Sequence, residues 1–249
     1  MCTVVILYRP GHAWPLILAT NRDEMADRPW KPPARHWPDR PEVVAGLDLL
    51  AGGSWLGLND SGVVAGVLNR PRSLGPRPHF RSRGELPLEA LVHAEAAAAA
   101  EALSHIEPAS YRPFNMVVAD ARDAFWLRNR GDGTGVEAME IEAGLSMITA
   151  HDLNDPASPR IAKYLPLFRA AAPPDPGTGD WSTWSPLMAA RDHEAPDGPG
   201  GAMLVSGDGG FGTVTSSFMA LGQGDEEGRV WLFAAGPPGE ADYEPVSLG

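Results

Sequence analysis

Two stretches near the start of the chain, Cys2-Thr3-Val4-Val5-Ile6-Leu7-Tyr8 and Leu16-Ile17-Leu18-Ala19-Thr20-Asn21-Arg22-Asp23-Glu24, decide how this sequence is read. Thr3–Tyr8 is a β-branched apolar run, the composition of a buried strand. Residues 11–15 read as a turn, and Leu16–Thr20 as a second strand closing a hairpin with the first. Asn21, Arg22, Asp23 and Glu24 then follow at the end of that buried strand. In a hairpin of this length the end of strand two lies near the start of strand one, so Asn21, Arg22 and Asp23 are expected around Cys2. Cys2 is the one cysteine of the chain and follows the initiator Met1 directly. Cysteine is small enough for Met1 to be clipped during synthesis. The new terminus would then carry a thiol beside a free α-amine with a reference pKa of roughly 7.7–8.0, a nucleophile with its own base. Two plainer readings stand beside this one. Cys2 can be a small buried hydrophobe, and the Asn-Arg-Asp-Glu block can be an ion pair capping a hairpin.

Further along, Trp55–Asn59 and Val63–Asn69 read as strands joined at Asp60-Ser61-Gly62. Residues 25–41 and 70–83 read as loops rich in proline and arginine. Leu86 to Ile106 is expected to be one helix, with Pro87 in its first turn and an alanine run of high propensity. Strands are expected at 114–120, 124–130, 136–141, 145–150, 203–206, 213–221 and 230–235, and helices at 158–172 and 184–192. Strands, a helix, strands, helices and strands succeed one another without βαβ spacing. The sheets should therefore be largely antiparallel with helices grouped outside them, an α+β architecture. No repeat or clear boundary interrupts residues 1–249, which are read as one domain.

Composition narrows the function classes. The chain has 249 residues, 43% of them hydrophobic, and a formal net charge of -12. An acidic chain repels polyanions, which argues against nucleic acid and anionic membrane surfaces as partners. Lys31 and Lys163 are its only lysines, so a catalytic lysine is not expected. A single cysteine excludes an intrachain disulfide, and no apolar stretch approaches the roughly 20 residues of a membrane span. The expectation is a cytoplasmic protein without an integral membrane segment.

Several motif-like signals are weak. Residues 207–212, Gly-Asp-Gly-Gly-Phe-Gly, fit a dinucleotide fingerprint, but β-prone Thr213-Val214-Thr215 follows where a helix should open. They read as a turn. The histidines are scattered, and His151-Asp152 are adjacent, which on an extended segment points them to opposite faces. No metal and no cofactor are expected. Gly-x-Ser-x-Gly is absent, so a nucleophile-elbow serine has no support.

The chain resembles the NRDE-motif family, also called the transport and Golgi organisation protein family. The resemblance rests on Met1-Cys2-Thr3, Asn21-Arg22-Asp23-Glu24, Arg28-Pro29, Gly46-Leu47-Asp48, Gly52-Gly53-Ser54-Trp55-Leu56-Gly57, Arg83-Gly84-Glu85-Leu86, Phe114-Asn115 and Phe211-Gly212-Thr213. That family is similar to the cysteine N-terminal-nucleophile hydrolases, such as bile salt hydrolase and penicillin V acylase. The resemblance implies a four-layer αββα sandwich of two mostly antiparallel sheets. It puts Cys2 at the nucleophile position, Asp23 at the carboxylate that holds the α-amine, and Asn21 beside it. The segment from Gly57-Leu58-Asn59 to Gly66-Val67-Leu68-Asn69 resembles the hydrolases' paired strands, which makes Asn69 the candidate oxyanion-hole amide. The hydrolases carry an arginine where this chain has Thr20, so Arg22 is its stand-in two residues on. His151 falls where relatives usually carry Asn, and Val214 where they often carry Arg.

The implied reaction is acyl transfer through Cys2, Asn21, Arg22, Asp23 and Asn69. Trp55, Asn59 and His151 are substrate-binding candidates. The substrate would be an amide, thioester or ester of an apolar acyl group, and the Arg70–Arg83 loop could steer an anionic one. The alternative of another class is a non-catalytic carrier or chaperone for haem, an acyl-lipid or another hydrophobic ligand. A haem or metal contact through the Cys2 thiol, needing no free amine, is a third reading.

Overall fold

The computed structural model describes residues 2–224 and 228–249; Met1, on whose removal the self-base reading depends, lies outside them. Among the described residues, thirteen strands and four α-helices follow in the order β1 Thr3–Tyr8, β2 Leu16–Met25, β3 Trp30–Ala34, β4 Val43–Asp48, β5 Leu56–Asn59, β6 Val64–Asn69, α1 Glu85–Ala90, α2 Ala96–Ser104, β7 Phe114–Ala119, β8 Ala124–Asn129, β9 Val136–Glu140, β10 Gly144–Ile148, α3 Pro159–Ala170, α4 Ser185–Met188, β11 Phe211–Leu221, β12 Arg229–Ala234 and β13 Tyr243–Pro245. They form two compact units.

The first unit comprises residues 1–28 and 143–246. Its six-stranded sheet runs β10-β1-β2-β11-β12-β13, with every pairing antiparallel. Val5, Leu7, Ile17, Ala19, Phe218 and Ala220 line one face, and Ile161, Tyr164, Leu165 and Phe168 of α3 pack on it with Trp184 and Met188. The alternation along β1 and β2 sends every second apolar side chain to this layer. Ser158 caps α3, its hydroxyl accepting from the Ile161 N–H, and Pro159 occupies the first turn. Both are start signals that the sequence carries openly.

The second unit holds residues 29–142 and the last three residues. Its seven-stranded sheet runs β3-β4-β5-β6-β7-β8-β9, again antiparallel between neighbours. Val63, Ala65, Phe114, Met116, Val118 and Leu127 form a core with Leu86, Leu91, Ala99, Ala100 and Leu103 of the helical segment.

Five local expectations change. Asn21–Met25 continue the strand that was expected to end at Thr20. Residues 30–34, read as loop, form the edge strand β3, where Pro32 and Pro33 are tolerated because an outer strand leaves one side unpaired. The single helix over 86–106 is two helices. Asn59 takes the carbonyls of Leu91 and His93 at 2.8 and 2.7 Å, and Asp120 accepts from the Ala96 N–H at 2.8 Å, starting α2 afresh. The strand expected at 203–206 is reduced to a bridge between Ser206 and Gly212, and the helix expected over 184–192 spans only Ser185–Met188.

Candidate active site around Cys2

Cys2 immediately precedes β1 and is half-buried. Its Sγ donates to the backbone carbonyl of Asp23 at 3.6 Å. Thr3 pairs with Asn21 in the β1–β2 ladder, so the same register sets Cys2 opposite Arg22. Cross-strand partners share a face and successive residues alternate. Cys2 and Arg22 therefore lie to one side of the sheet, and Thr3, Asn21 and Asp23 to the side covered by α3 and α4. The three residues expected around Cys2 are thus sorted by the pleat: Arg22 shares its face, while Asp23 reaches it through its backbone carbonyl.

The Asp23 carboxylate is wholly buried and belongs to a network that no local pattern announced. Thr213 Oγ1 donates to its Oδ1 at 2.7 Å, and Arg160 Nη1 to its Oδ2 at 3.2 Å. Arg160 is only 2% exposed. It also donates to Thr3 Oγ1 and, through Nη2, to the Gly200 carbonyl at 3.0 Å. Thr213 Oγ1 in turn accepts from the Val205 N–H at 2.8 Å. A buried ion pair needs further hydrogen bonds to offset its desolvation, and these contacts supply them to both Asp23 oxygens and both Arg160 Nη groups.

A β-bulge makes this possible. Thr213 pairs with Asp23 and Thr215 with Arg22, so Val214 is the extra residue of β11. Two residues that would otherwise share a face are turned to opposite sides. Thr213 meets the Asp23 carboxylate on the helix-covered side, and Thr215 falls with Arg22. Val214, which the resemblance placed where relatives carry arginine, is the bulged residue itself.

Asn21 has a different task. Its Nδ2 donates to the carbonyls of Met188 and Met203 at 3.0 and 2.9 Å, and its Oδ1 accepts from Ser216 Oγ at 2.8 Å. It ties β2 to α4 and to the segment before β11. His151 is half-buried, with Nδ1 3.8 Å from Asp155 Oδ2 and its backbone N–H donating to Thr149 Oγ1.

The remaining candidates belong to the second unit. Asn69 closes β6, half-buried and paired with Phe114 of β7. Trp55 stands edge-on to Trp30 with ring centroids 6.1 Å apart. Its ring covers Gly46 so closely that a Cβ there would come within 2.3 Å of it. Asn59 is fully engaged: besides the two carbonyls it holds, its Oδ1 accepts from the N–H groups of Ser61 and Val63. Its amide is a clasp for the turn before α2.

Electrostatics around the thiol pull both ways. Burial pushes the Cys2 thiol above its ordinary value, the Asp23 charge adds to this, and Arg22 pulls it down. Burial is the largest of the three, so with residue 1 in place the neutral thiol is the favoured form.

Sequence reasoning missed Arg160. It lies 137 residues from Asp23, on the buried face of α3 that it shares with Ile161, Tyr164, Leu165 and Phe168. An arginine on such a face is the one sign that could have drawn attention to it. Thr213 stood inside a quoted motif, Phe211-Gly212-Thr213, without a role.

A thiol at the start of the first strand of an antiparallel sheet, flanked by an Arg-Asp pair at the end of the second, sits in a fold of the N-terminal-nucleophile hydrolase class. The structure resembles a variant of the conjugated bile acid hydrolase of Clostridium perfringens at a TM-score of 0.56, with 12% identity over 99% of this chain and 92% of that one. It resembles penicillin V acylase from Agrobacterium tumefaciens at 0.52, with 13% identity over 93% and 82%. At such identities the likeness is one of fold alone. Residues 1–172 match the family described as Transport and Golgi organisation 2, and the chain belongs to that family. The mouse Transport and Golgi organization 2 homolog is 34% identical over 134 residues, 48% of this chain and 45% of its own length. The human homolog is 32% identical over 151 residues, 53% and 51%. The chain thus spans about half the length of the curated relatives it matches. No helix among the described residues is long and apolar enough to cross a membrane.

Proposed function

We propose that this protein is an N-terminal-cysteine acyl hydrolase acting on an amide, or on a thioester or ester, of an apolar acyl group. The observation that carries the reading is the placement of Cys2: its Sγ is 3.6 Å from the Asp23 carbonyl and its strand register faces Arg22. Once Met1 is removed, the α-amine of Cys2 takes the thiol proton. The thiolate attacks the acyl carbon, the C–N bond breaks, and the amine returns the proton to the leaving nitrogen. Water then cleaves the thioester and restores the thiol. Arg22, the cation on the thiol's face of β2, favours the thiolate. Asp23, held by Arg160 and Thr213, keeps carboxylate lone pairs for the new ammonium group. Asn69 is the proposed oxyanion donor, and loss of such a donor typically costs ~10²–10³ in rate.

Two measurements test this together. Intact-mass spectrometry reads whether Met1 is absent, and turnover of a series of acyl p-nitroanilides and acyl thioesters reads activity in the wild type and in Cys2→Ala. Loss of Met1, with turnover that vanishes in Cys2→Ala, is expected. A mass retaining Met1 throughout, or turnover unchanged in Cys2→Ala, overturns the reading.

The carrier of haem or an acyl-lipid is favoured by one observation, the elevation of the Cys2 thiol by burial. Stoichiometric ligand binding that survives Cys2→Ala, with no turnover in either protein, is the outcome that would select it.

A further inference from the structure

The segment between β6 and α1 concentrates positive charge in an acidic chain. Arg70, Arg72, Arg77, Arg81 and Arg83 fall between Asp60 and Glu85 with no acidic residue among them, while the whole chain carries -12. The structure divides these arginines into two sets. Arg83 Nη1 donates to Ser73 Oγ at 2.8 Å and to the Pro113 carbonyl at 2.9 Å, and Arg70 to Asn115 Oδ1 at 2.6 Å. Ser73, completely buried, also bonds the backbone N–H and carbonyl of Arg70. Arg112 grips the carbonyls of Arg72, Leu74 and Gly75. Arg81 is committed to Glu85 and lies over the Tyr111 ring. These contacts pin the base of the loop and one edge of its backbone.

What the loop presents outward is different. Arg72 and every residue from Leu74 to Arg81 are exposed. Arg72 and Arg77 have no side-chain partner among the described residues. Between and beside them stand Leu74 and Phe80, 47% and 37% exposed, two of the few large apolar side chains the chain leaves in water. Arg72 and His79 sit at positive φ, 62° and 70°, which non-glycine residues adopt only when their surroundings require it. Apolar side chains interleaved with unpaired cations on a pinned, projecting loop match an interface that is apolar below and anionic above. A small anion would instead need a concave cradle of converging donors.

We propose that residues 72–80 form a docking loop for anionic lipid membranes, with Leu74 and Phe80 entering the acyl boundary and Arg72 and Arg77 meeting the headgroups. The net charge of the chain, which argued against an anionic surface, acts over distance and is screened beyond about 8 Å at physiological ionic strength. Within that range the loop supplies only positive charge. Each arginine near such a surface is worth about fivefold in partitioning. The loop's contribution does not depend on the Cys2 chemistry.

Co-flotation of the full chain with phosphatidylcholine vesicles, with and without phosphatidylserine, tests this at low and physiological salt. Binding to the phosphatidylserine vesicles alone is expected. Arg72→Glu with Arg77→Glu should reduce it at least about twentyfold, and Leu74→Ser with Phe80→Ser at least about tenfold. Leu167→Ser, at an equally exposed leucine of α3, should leave it unchanged. Thermal unfolding confirms that each variant is folded. Absence of binding to either vesicle by the wild type overturns the proposal. So does retention of binding in the Leu74/Phe80 variant, which would mark a plain cationic patch. Competition of the bound protein by millimolar inorganic phosphate would point to a soluble anion and overturn it as well.

Discussion

Arg160 and Asp23 form a buried ion pair at 3.2 Å between α3 and β2, with both side chains at most 3% exposed. The carboxylate that the sequence placed beside the N-terminal thiol is therefore anchored to the helical layer. Its geometry is set by residues far along the chain.

Replacing Arg160 by Met leaves the Asp23 charge buried without its cation. A loss of about 3–5 kcal/mol in folding stability is expected. Urea unfolding of Arg160→Met, Asp23→Asn and the double variant checks it. The double variant should be less destabilised than the sum of the two, because removing both charges leaves neither one stranded.

Thr213→Val keeps the shape and removes the hydroxyl that joins Val205 N–H to Asp23. A destabilisation of about 1–3 kcal/mol is expected from the buried partners left unmet. If Asp23 orients the Cys2 amine, kcat in a processed, active preparation should fall with KM nearly constant. An unchanged kcat would confine Thr213 to a structural role.

Burial and the Asp23 charge raise the Cys2 thiol, and Arg22 lowers it. In a chain that retains Met1, iodoacetamide should react with Cys2 more slowly at neutral pH than with a free thiol. The rate should climb only as pH passes the ordinary thiol value of about 8.5. Arg22→Leu removes a cation that favours the thiolate, so the inflection should move further up. A downward move would refute the assignment of Arg22 to the thiol's face.

Tyr243 is raised from 10.0 to about 12 by burial, against a hydrogen bond with Ser216 that pulls it down. The folded state keeps the phenol proton that the unfolded chain releases near pH 10. The stabilisation is fully present below pH 10 and is lost as pH rises through about 12. The change amounts to about 3 kcal/mol. Tyr243→Phe should remove this alkaline slope in unfolding free energy measured from pH 8 to 12.

Much of the fold follows from the short apolar, β-branched runs of β1, β2 and the β6–β7–β8 meander, bounded by turn residues. Local pattern failed where polar side chains are satisfied from afar. Asn21 and Asp23 read as residues beyond a strand that ends at Thr20. They stay within β2 because Met188, Met203, Arg160 and Thr213 supply their partners. The alanine run looked like one helix, and it is split because Asn59 and Asp120 bind backbone groups at the break.

The sequence by itself determined that Cys2 heads a buried strand, that Asn21-Arg22-Asp23 stand at the end of its hairpin partner, and that the sheets are antiparallel, since these depend on neighbouring residues and on the order of the elements. Only the tertiary structure decided which of those side chains faces the thiol. The pleat puts Arg22 on one face and Asp23 on the other, and the Val214 bulge then brings Thr213 to the Asp23 carboxylate. Only the fold, too, could bring Arg160 beneath Asp23. A buried charge must find its counter-charge in space, and no spacing along the chain records where that partner stands.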